Sequence, residues 1–195
     1  MKDIPSQAPD CNVEGLFAKA GVVREGHFVL TSGLHSPVYW EKFKILQYPE
    51  YTGILCALIA EHFRDRQPTV VVGPTTGGVI LAFETARLLG TRGLFAEKTG
   101  AGRSLRRDFT IEPGEKVLIV DDVLTTGKSV RETLDAVRSL GGNVIGVGVL
   151  VDRSTTELSF GTELFSCLRV PAVTYSAVDC PLCAAGIPVT KPGGS

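Results

Sequence analysis

The sequence predicts an α/β fold, a parallel sheet flanked by helices, with a small N-terminal flap. Three observations predict it. The runs Thr69–Gly73 (TVVVG), Lys116–Val120 (KVLIV) and Asn143–Val151 (NVIGVGVLV) are almost uniformly apolar and β-branched, and Gly93–Ala96 is a shorter candidate. Stretches with helical periodicity, at about 78–89 and 128–140, lie between these runs. The strands do not alternate apolar with polar residues, so both of their faces need cover, which helices above and below a parallel sheet supply.

The remaining elements follow in chain order. Residues 1–11 form a polar leader. From Asn12, the segment NVEGLFAKAG has helical spacing at Val13, Leu16 and Phe17, with Gly21 as its stop. His27–Trp40 holds two strand-like pieces, HFVL and PVYW, split by Thr31-Ser32-Gly33, which reads as an antiparallel hairpin or flap. Residues 50–64 form an amphipathic helix with Tyr51, Ile54, Leu55, Leu58 and Ile59 on one face. The Pro- and Gly-rich end, Ile187–Ser195, reads as a frayed terminus. The 195 residues fit a single domain: helix and hood over 12–45, α/β core over 46–170, and a C-terminal segment over 171–195.

Composition narrows the function. Hydrophobic residues make up 44% and charged residues 21%, which excludes a disordered chain. Twenty basic residues against 21 acidic ones leave a net charge of −1, without the basic excess of a nucleic-acid binder. No run of ~18 apolar residues suggests a membrane span. The first residues, MKDIPSQAPD, lack the apolar core of a signal peptide. The five cysteines, at 11, 56, 167, 180 and 183, do not form a secreted disulfide pattern. The expected setting is the cytoplasm.

In a sheet of this kind ligands bind beyond the C-terminal strand ends. Pro74–Gly78, Asp121–Ser129 and Asp152–Arg153 sit there. The most informative run is VLIVDDVLTTGKSV, residues 117–130. Apolar strand residues lead into Asp121 and Asp122, and Thr125, Thr126, Gly127, Lys128 and Ser129 then open a helix. Free N–H groups and the positive dipole end of a helix suit a phosphate. A nucleotide P-loop needs Gly at position 122, where this chain has Asp, and a GxGxxG is absent. Two carboxylates before a phosphate loop suit a sugar phosphate, its ribose hydroxyls on the acids and its phosphate on the helix. Residues 98–107 (KTGAGRSLRR) contain Lys98, Arg103, Arg106 and Arg107 and no acid, with glycines 100 and 102 to let the segment move. A mobile basic loop closing over a diphosphate fits this chemistry.

These runs resemble the phosphoribosyl pyrophosphate (PRPP) signature of the type I phosphoribosyltransferases. The segments GHFVLTSGLHSPVYW, VVVGPTTGGVILA, LFAEKTGAGRSLRRDFTIEPGEKVLIVDDVLTTGKSV and GVGVLVDRS are similar, in order and spacing, to the orotate phosphoribosyltransferases. The resemblance spans about residues 12–170. It implies a Rossmann-like type I phosphoribosyltransferase fold with an N-terminal hood. The implied reaction transfers ribose 5-phosphate from PRPP to orotate, giving orotidine 5′-monophosphate and pyrophosphate in pyrimidine biosynthesis.

The resemblance also implies roles for residues. Asp121, Asp122, Val123, Leu124, Thr125, Thr126, Gly127, Lys128 and Ser129 would bind PRPP, Thr125–Ser129 around the 5-phosphate and the two acids at the ribose hydroxyls. Thr75, Thr76, Gly77 and Gly78 would form the pyrophosphate loop. Lys98 and Arg103, with Asp121 and Asp122, would act in catalysis. Thr125 and Arg153 would bind orotate, Asp152 being a potential orienting partner of Arg153. Mg²⁺ would enter bound to PRPP, with no direct protein ligand. The 98–107 loop would reach the partner's site in a homodimer.

Three positions lack a cation that many relatives carry: Thr31 in the flap, Gly77 in the pyrophosphate loop and Glu97 before the mobile loop. They motivate the alternative of a transferase acting on another, purine base. A PRPP-sensing regulator that binds nucleic acid is the reading from a different class, disfavoured by the neutral charge. Tyr39 and Trp40 in the flap either contact the base or pack the flap. Cys180-Pro-Leu-Cys183 supplies only two zinc ligands and is read as a structural or incidental pair. His27, His35 and His62 show no metal-ligand spacing.

Overall fold

The computed structural model describes residues 12–30 and 32–192. Thr31, the leader and the last three residues lie outside it. A short helix α1 (Val13–Lys19) opens the chain, and Asn12 caps it by accepting the Gly15 amide at 2.8 Å. Strands β1 (Val23–Val29) and β2 (His35–Trp40) form the antiparallel hood hairpin. Helices α2 (Phe43–Leu46) and α3 (Pro49–Phe63) lead into the core. There follow β3 (Val70–Pro74), α4 (Gly77–Leu89), β4 (Arg92–Thr99), β5 (Gly102–Leu105), β6 (Lys116–Leu124), α5 (Lys128–Ser139), β7 (Asn143–Asp152), β8 (Leu164–Arg169) and α6 (Pro181–Ala184).

The main sheet has six strands in the order β5-β4-β3-β6-β7-β8. All neighbours are parallel except β5, which returns antiparallel along β4. The chain leaves β3 toward β4 and leaves β6 toward β7, in opposite directions. The strand order therefore reverses between β3 and β6, and a crevice opens beyond their C-terminal ends.

Side-chain alternation on the central strands explains the two layers of cover. Val71, Leu118 and Val120 face a core shared with α1, α3, α4 and the hood. Val70, Val72, Val117 and Ile119 face the opposite core, which α5 covers through Val130, Leu134 and Val137. The β7–β8 crossover contains no helix. Leu158 and Phe160 from that connection pack into the α5-side core instead. The buried stripe of α3 is Thr52, Leu55, Cys56, Ile59, Ala60 and Phe63, while Tyr51, Ile54 and Leu58 are only half-buried. The face expected from the sequence is rotated, because α3 is covered by the sheet on one side and α4 on another.

Two expectations are corrected. The basic segment 98–107 is largely a β-hairpin on the sheet edge, with Lys98 directly opposite Arg103. The terminus is not frayed at Ile187–Thr190. Thr190 accepts the Val29 amide at 3.0 Å and donates to the His27 carbonyl at 2.7 Å, adding a short strand bridge to the hood. Tyr175 pairs similarly with His35 through two backbone hydrogen bonds, of 2.9 and 2.8 Å.

Candidate functional site

β6 runs four residues past its apolar stretch, to Leu124, and Asp121 and Asp122 in that extension stand at the floor of the crevice, 5% and 3% exposed. Asp121 accepts the Ser129 hydroxyl at 2.6 Å and the Asp122 amide at 2.8 Å. Burial, and then the neighbouring Asp122 charge, nonetheless push its pKa from 3.8 up to about 6. Asp122 accepts the Val123 amide at 2.7 Å and is paired with Lys42, whose Nζ lies 2.9 Å from Oδ1 and 2.8 Å from Oδ2. Gly77, at the start of α4, packs against the Asp122 carboxylate so closely that a Cβ there would overlap Oδ2. Any larger residue at 77 would displace the acid from this position.

Helix α5 begins beside this floor. Its N-cap is Gly127, in the left-handed region at φ +75°, and no side chain caps the helix. A Cβ at 127 would also press on the Phe160 ring at 3.0 Å. The bare first turn leaves backbone donors for an anion. Lys98, Arg103, Val123, Thr125, Thr126, Gly127, Lys128, Ser129 and Glu132 line one cleft of about 270 Å³. Lys98 and Arg103 sit directly opposite in register, an arrangement of like charges that opposes folding unless an anion lies between or beside them. Glu132 compensates in part, 3.6 Å from Arg103 Nε and 3.8 Å from Lys128 Nζ.

Thr75 and Thr76 form the turn from β3 into α4, through a cis peptide bond. Arg103 reaches over this turn and donates to the Thr75 carbonyl and hydroxyl, each at 3.3 Å, and to the Ala96 carbonyl at 3.2 Å. Arg107 is engaged elsewhere, bonded to Glu97 at 2.8 Å.

Arg153 follows β7 and is 7% exposed. Its guanidinium lies 5.3 Å from the centre of the Trp40 ring, and its Nε is buried without a hydrogen-bond partner. Burial lowers its pKa. Asp152 does not orient it. That carboxylate accepts the Ser154 amide at 2.9 Å and lies 3.7 Å from Arg169. Trp40 is thus a packing residue of the hood that meets Arg153 on its face and Phe17 edge-on, with ring centres 5.4 Å apart in the second pair.

Comparison with known proteins decides the family. Residues 44–168 match the model of the phosphoribosyl transferase domain. The orotate phosphoribosyltransferase of Pelotomaculum thermopropionicum is 49% identical over 181 residues, covering 93% of this chain and 95% of that protein. The chain belongs to the orotate phosphoribosyltransferase family. The orotate phosphoribosyltransferase of Caldanaerobacter subterraneus is 49% identical over 178 residues, covering 91% of this chain and 94% of the relative. Among solved structures, orotate phosphoribosyltransferase from Aeropyrum pernix superposes with a TM-score of 0.66 at 28% identity, covering 80% of this chain and 93% of that one.

Family membership accords with the Rossmann-like fold expected from the sequence. Of the residues singled out there, Lys98, Arg103, Val123 and Thr125–Ser129 share the cleft. Asp121 joins them through Ser129, and Thr75 joins through Arg103. Gly77 touches Asp122. Leu124 is a buried core residue whose carbonyl accepts the Arg153 amide at 2.7 Å, so it acts through the backbone. Three site-related groups were missed. Lys42 lies 80 residues from Asp122, and Glu132 has no local mark as a site residue. The third group is His27 and His35, which lie beside Cys180 and Cys183.

Proposed function

We propose that this chain transfers ribose 5-phosphate from PRPP to orotate, releasing pyrophosphate and forming orotidine 5′-monophosphate. One observation supports orotate over a purine: Arg153, a buried guanidinium with an unsatisfied Nε, held against Trp40. A planar fork of this kind pairs with a carboxylate, which orotate carries and purine bases lack.

The bare start of α5 receives the 5-phosphate, and Asp121 and Asp122 accept the ribose hydroxyls. As pyrophosphate departs, positive charge develops on the ribose, and the two carboxylates favour it. Arg103 and Lys98 meet the diphosphate, with Thr75–Gly78 as its backbone cradle. Orotate is already nucleophilic at neutral pH, so no side-chain nucleophile is required. Mg²⁺ fits this site as a companion of PRPP: two buried carboxylates share a single ammonium, Lys42, and one more positive charge is accommodated. Bound to the diphosphate, the ion would supply charge neutralisation of the leaving group.

We further propose a homodimer. Helix α4, which starts in the site, turns Ile80 and Phe83 outward, 40% and 70% exposed and one helical turn apart. No helix among the described residues is long and apolar enough to cross a membrane. A cytoplasmic setting is part of the proposal. The deciding assay incubates the protein with PRPP, Mg²⁺ and each candidate base in turn. Loss of orotate absorbance with PRPP consumption is expected; turnover of a purine with orotate untouched would overturn the assignment.

A further inference from the structure

Two histidines from the hood and two cysteines from the C-terminal segment converge outside the cleft just described. His27 is on β1, His35 on β2, Cys180 immediately before α6, and Cys183 within it. One ligating atom from each lies within 4.8 Å of all the others. His27, His35 and Cys180 are 2%, 8% and 2% exposed, and Cys183 closes the group from the surface.

The hydrogen bonding sets the tautomer of His27. Its Nδ1 is 2.7 Å from the Ile187 carbonyl, which only accepts, so Nδ1 carries the proton. Nε2 of the neutral ring then presents a lone pair to the cluster. A backbone carbonyl that holds the far nitrogen of a ligating imidazole is the usual second support of a metal-bound histidine. Around that Nε2 lie His35 Nδ1 at 2.8 Å, Cys180 Sγ at 3.6 Å and Cys183 Sγ at 3.7 Å. His35 Nδ1 lies 3.3 Å from Cys183 Sγ.

Zinc fits these separations. Bond lengths of ~2.3 Å to sulfur and ~2.05 Å to nitrogen give tetrahedral edges of roughly 3.3 Å between nitrogens, 3.6 Å between nitrogen and sulfur, and 3.8 Å between sulfurs. The observed nitrogen–sulfur distances scatter around that value, and the nitrogens move apart by about 0.5 Å to admit the ion. Two nitrogen and two sulfur ligands in a tetrahedral set select zinc over magnesium or calcium, which take oxygen. Four protein ligands leave no open position, so such a site is structural.

We propose that His27, His35, Cys180 and Cys183 bind a structural zinc ion that clamps the C-terminal segment onto the hood. Binding deprotonates both thiols and releases two protons, leaving a neutral site. The clamp reinforces the Thr190 and Tyr175 backbone bridges and braces the hairpin that holds Trp40 against Arg153.

The test uses the full chain, purified under reducing conditions without chelator. About one zinc per chain is expected by elemental analysis. Replacement by Co²⁺ should give the visible bands of a tetrahedral complex and a near-ultraviolet thiolate charge-transfer band. Cys183→Ser, at the surface, should remove the charge-transfer intensity of one thiolate and weaken zinc retention; His27→Gln serves as a second variant. Stripping zinc should lower the Tm of the parent by several degrees and leave Cys183→Ser almost unaffected. Well under one zinc per chain together with no tetrahedral Co²⁺ spectrum would overturn the proposal. So would a Cys180–Cys183 disulfide in protein alkylated at lysis, or a parent Tm indifferent to zinc removal.

Discussion

At Asp121 two hydrogen bonds, from Ser129 and the Asp122 amide, do not offset burial and the adjacent carboxylate. The folded pKa of about 6 lies above the ordinary 3.8. The stabilising contribution of the protonated form is therefore complete below about pH 4 and lost as pH rises through about 6. Asp121→Asn keeps the shape and both hydrogen-bond positions but removes the charge. Thermal denaturation across pH should show the variant more stable than the parent by on the order of 1–3 kcal/mol at pH 8, converging with it near pH 4, while turnover falls. An unchanged difference across that range would contradict the charge argument. Arg153 offers a separate prediction, because its fork and its stacking on Trp40 are both lost in lysine. Arg153→Lys should raise KM for orotate by about ten- to a hundredfold. Steady-state kinetics should find KM for PRPP within about twofold of the parent, since the residues proposed to hold PRPP lie on β6, α5, the β3–α4 turn and the 98–107 hairpin rather than at Arg153.

Among the elements, β6 and α5 with the turn between them supply most of the cleft lining, and local sequence made them legible. A strand of apolar residues, two acids, a Thr-Thr-Gly turn and a helix with buried Val130, Leu134 and Val137 each follow from short-range pattern. β5 escaped notice because Gly102–Leu105 is a glycine and two polar residues before a single apolar one, with no buried residue. β8 (LFSCLR) is half-buried from Leu164 to Leu168, ends on the exposed Arg169, and lacks any alternation. Gly127 is where the turn and the helix start depend on one residue. Gly127→Ala places a Cβ in the left-handed region and against Phe160, at a cost of about 1–2 kcal/mol. The expected outcome is a Tm lower by several degrees and a raised KM for PRPP, with KM for orotate changed less. Calorimetry and initial-rate measurements read the two effects separately.

Across the whole molecule, what the sequence concealed was long-range. Lys42 meets Asp122 across 80 residues, and Cys180 meets His27 across 153, so no local window contains either pair. The same limit applies to assembly. Arg103 is turned inward and bonded to Thr75 of its own chain at 3.3 Å, whereas Lys98 stands exposed at the cleft rim. For residues 98–107 to serve a partner's site, the hairpin must release Arg103 from the Thr75 turn. Release breaks those three bonds, of 3.2–3.3 Å, and the 3.6 Å ion pair of Arg103 Nε with Glu132, and a partner's diphosphate would have to replace them. The exposed Ile80 and Phe83 lie on the helix that begins in the site, which puts a partner within reach. A mixed dimer tests both ideas. One chain carries Lys98→Ala with Arg103→Ala, and the other Asp121→Asn with Asp122→Asn; each is inactive as a homodimer. Co-expression should restore roughly half of the activity per heterodimer, about a quarter over a randomly paired mixture, because one complete site forms from the intact hairpin of one chain and the intact acids of the other. Phe83→Glu added to both chains should give monomers by sedimentation and abolish the recovery. Confirmed heterodimers without recovered activity would confine the hairpin to its own chain.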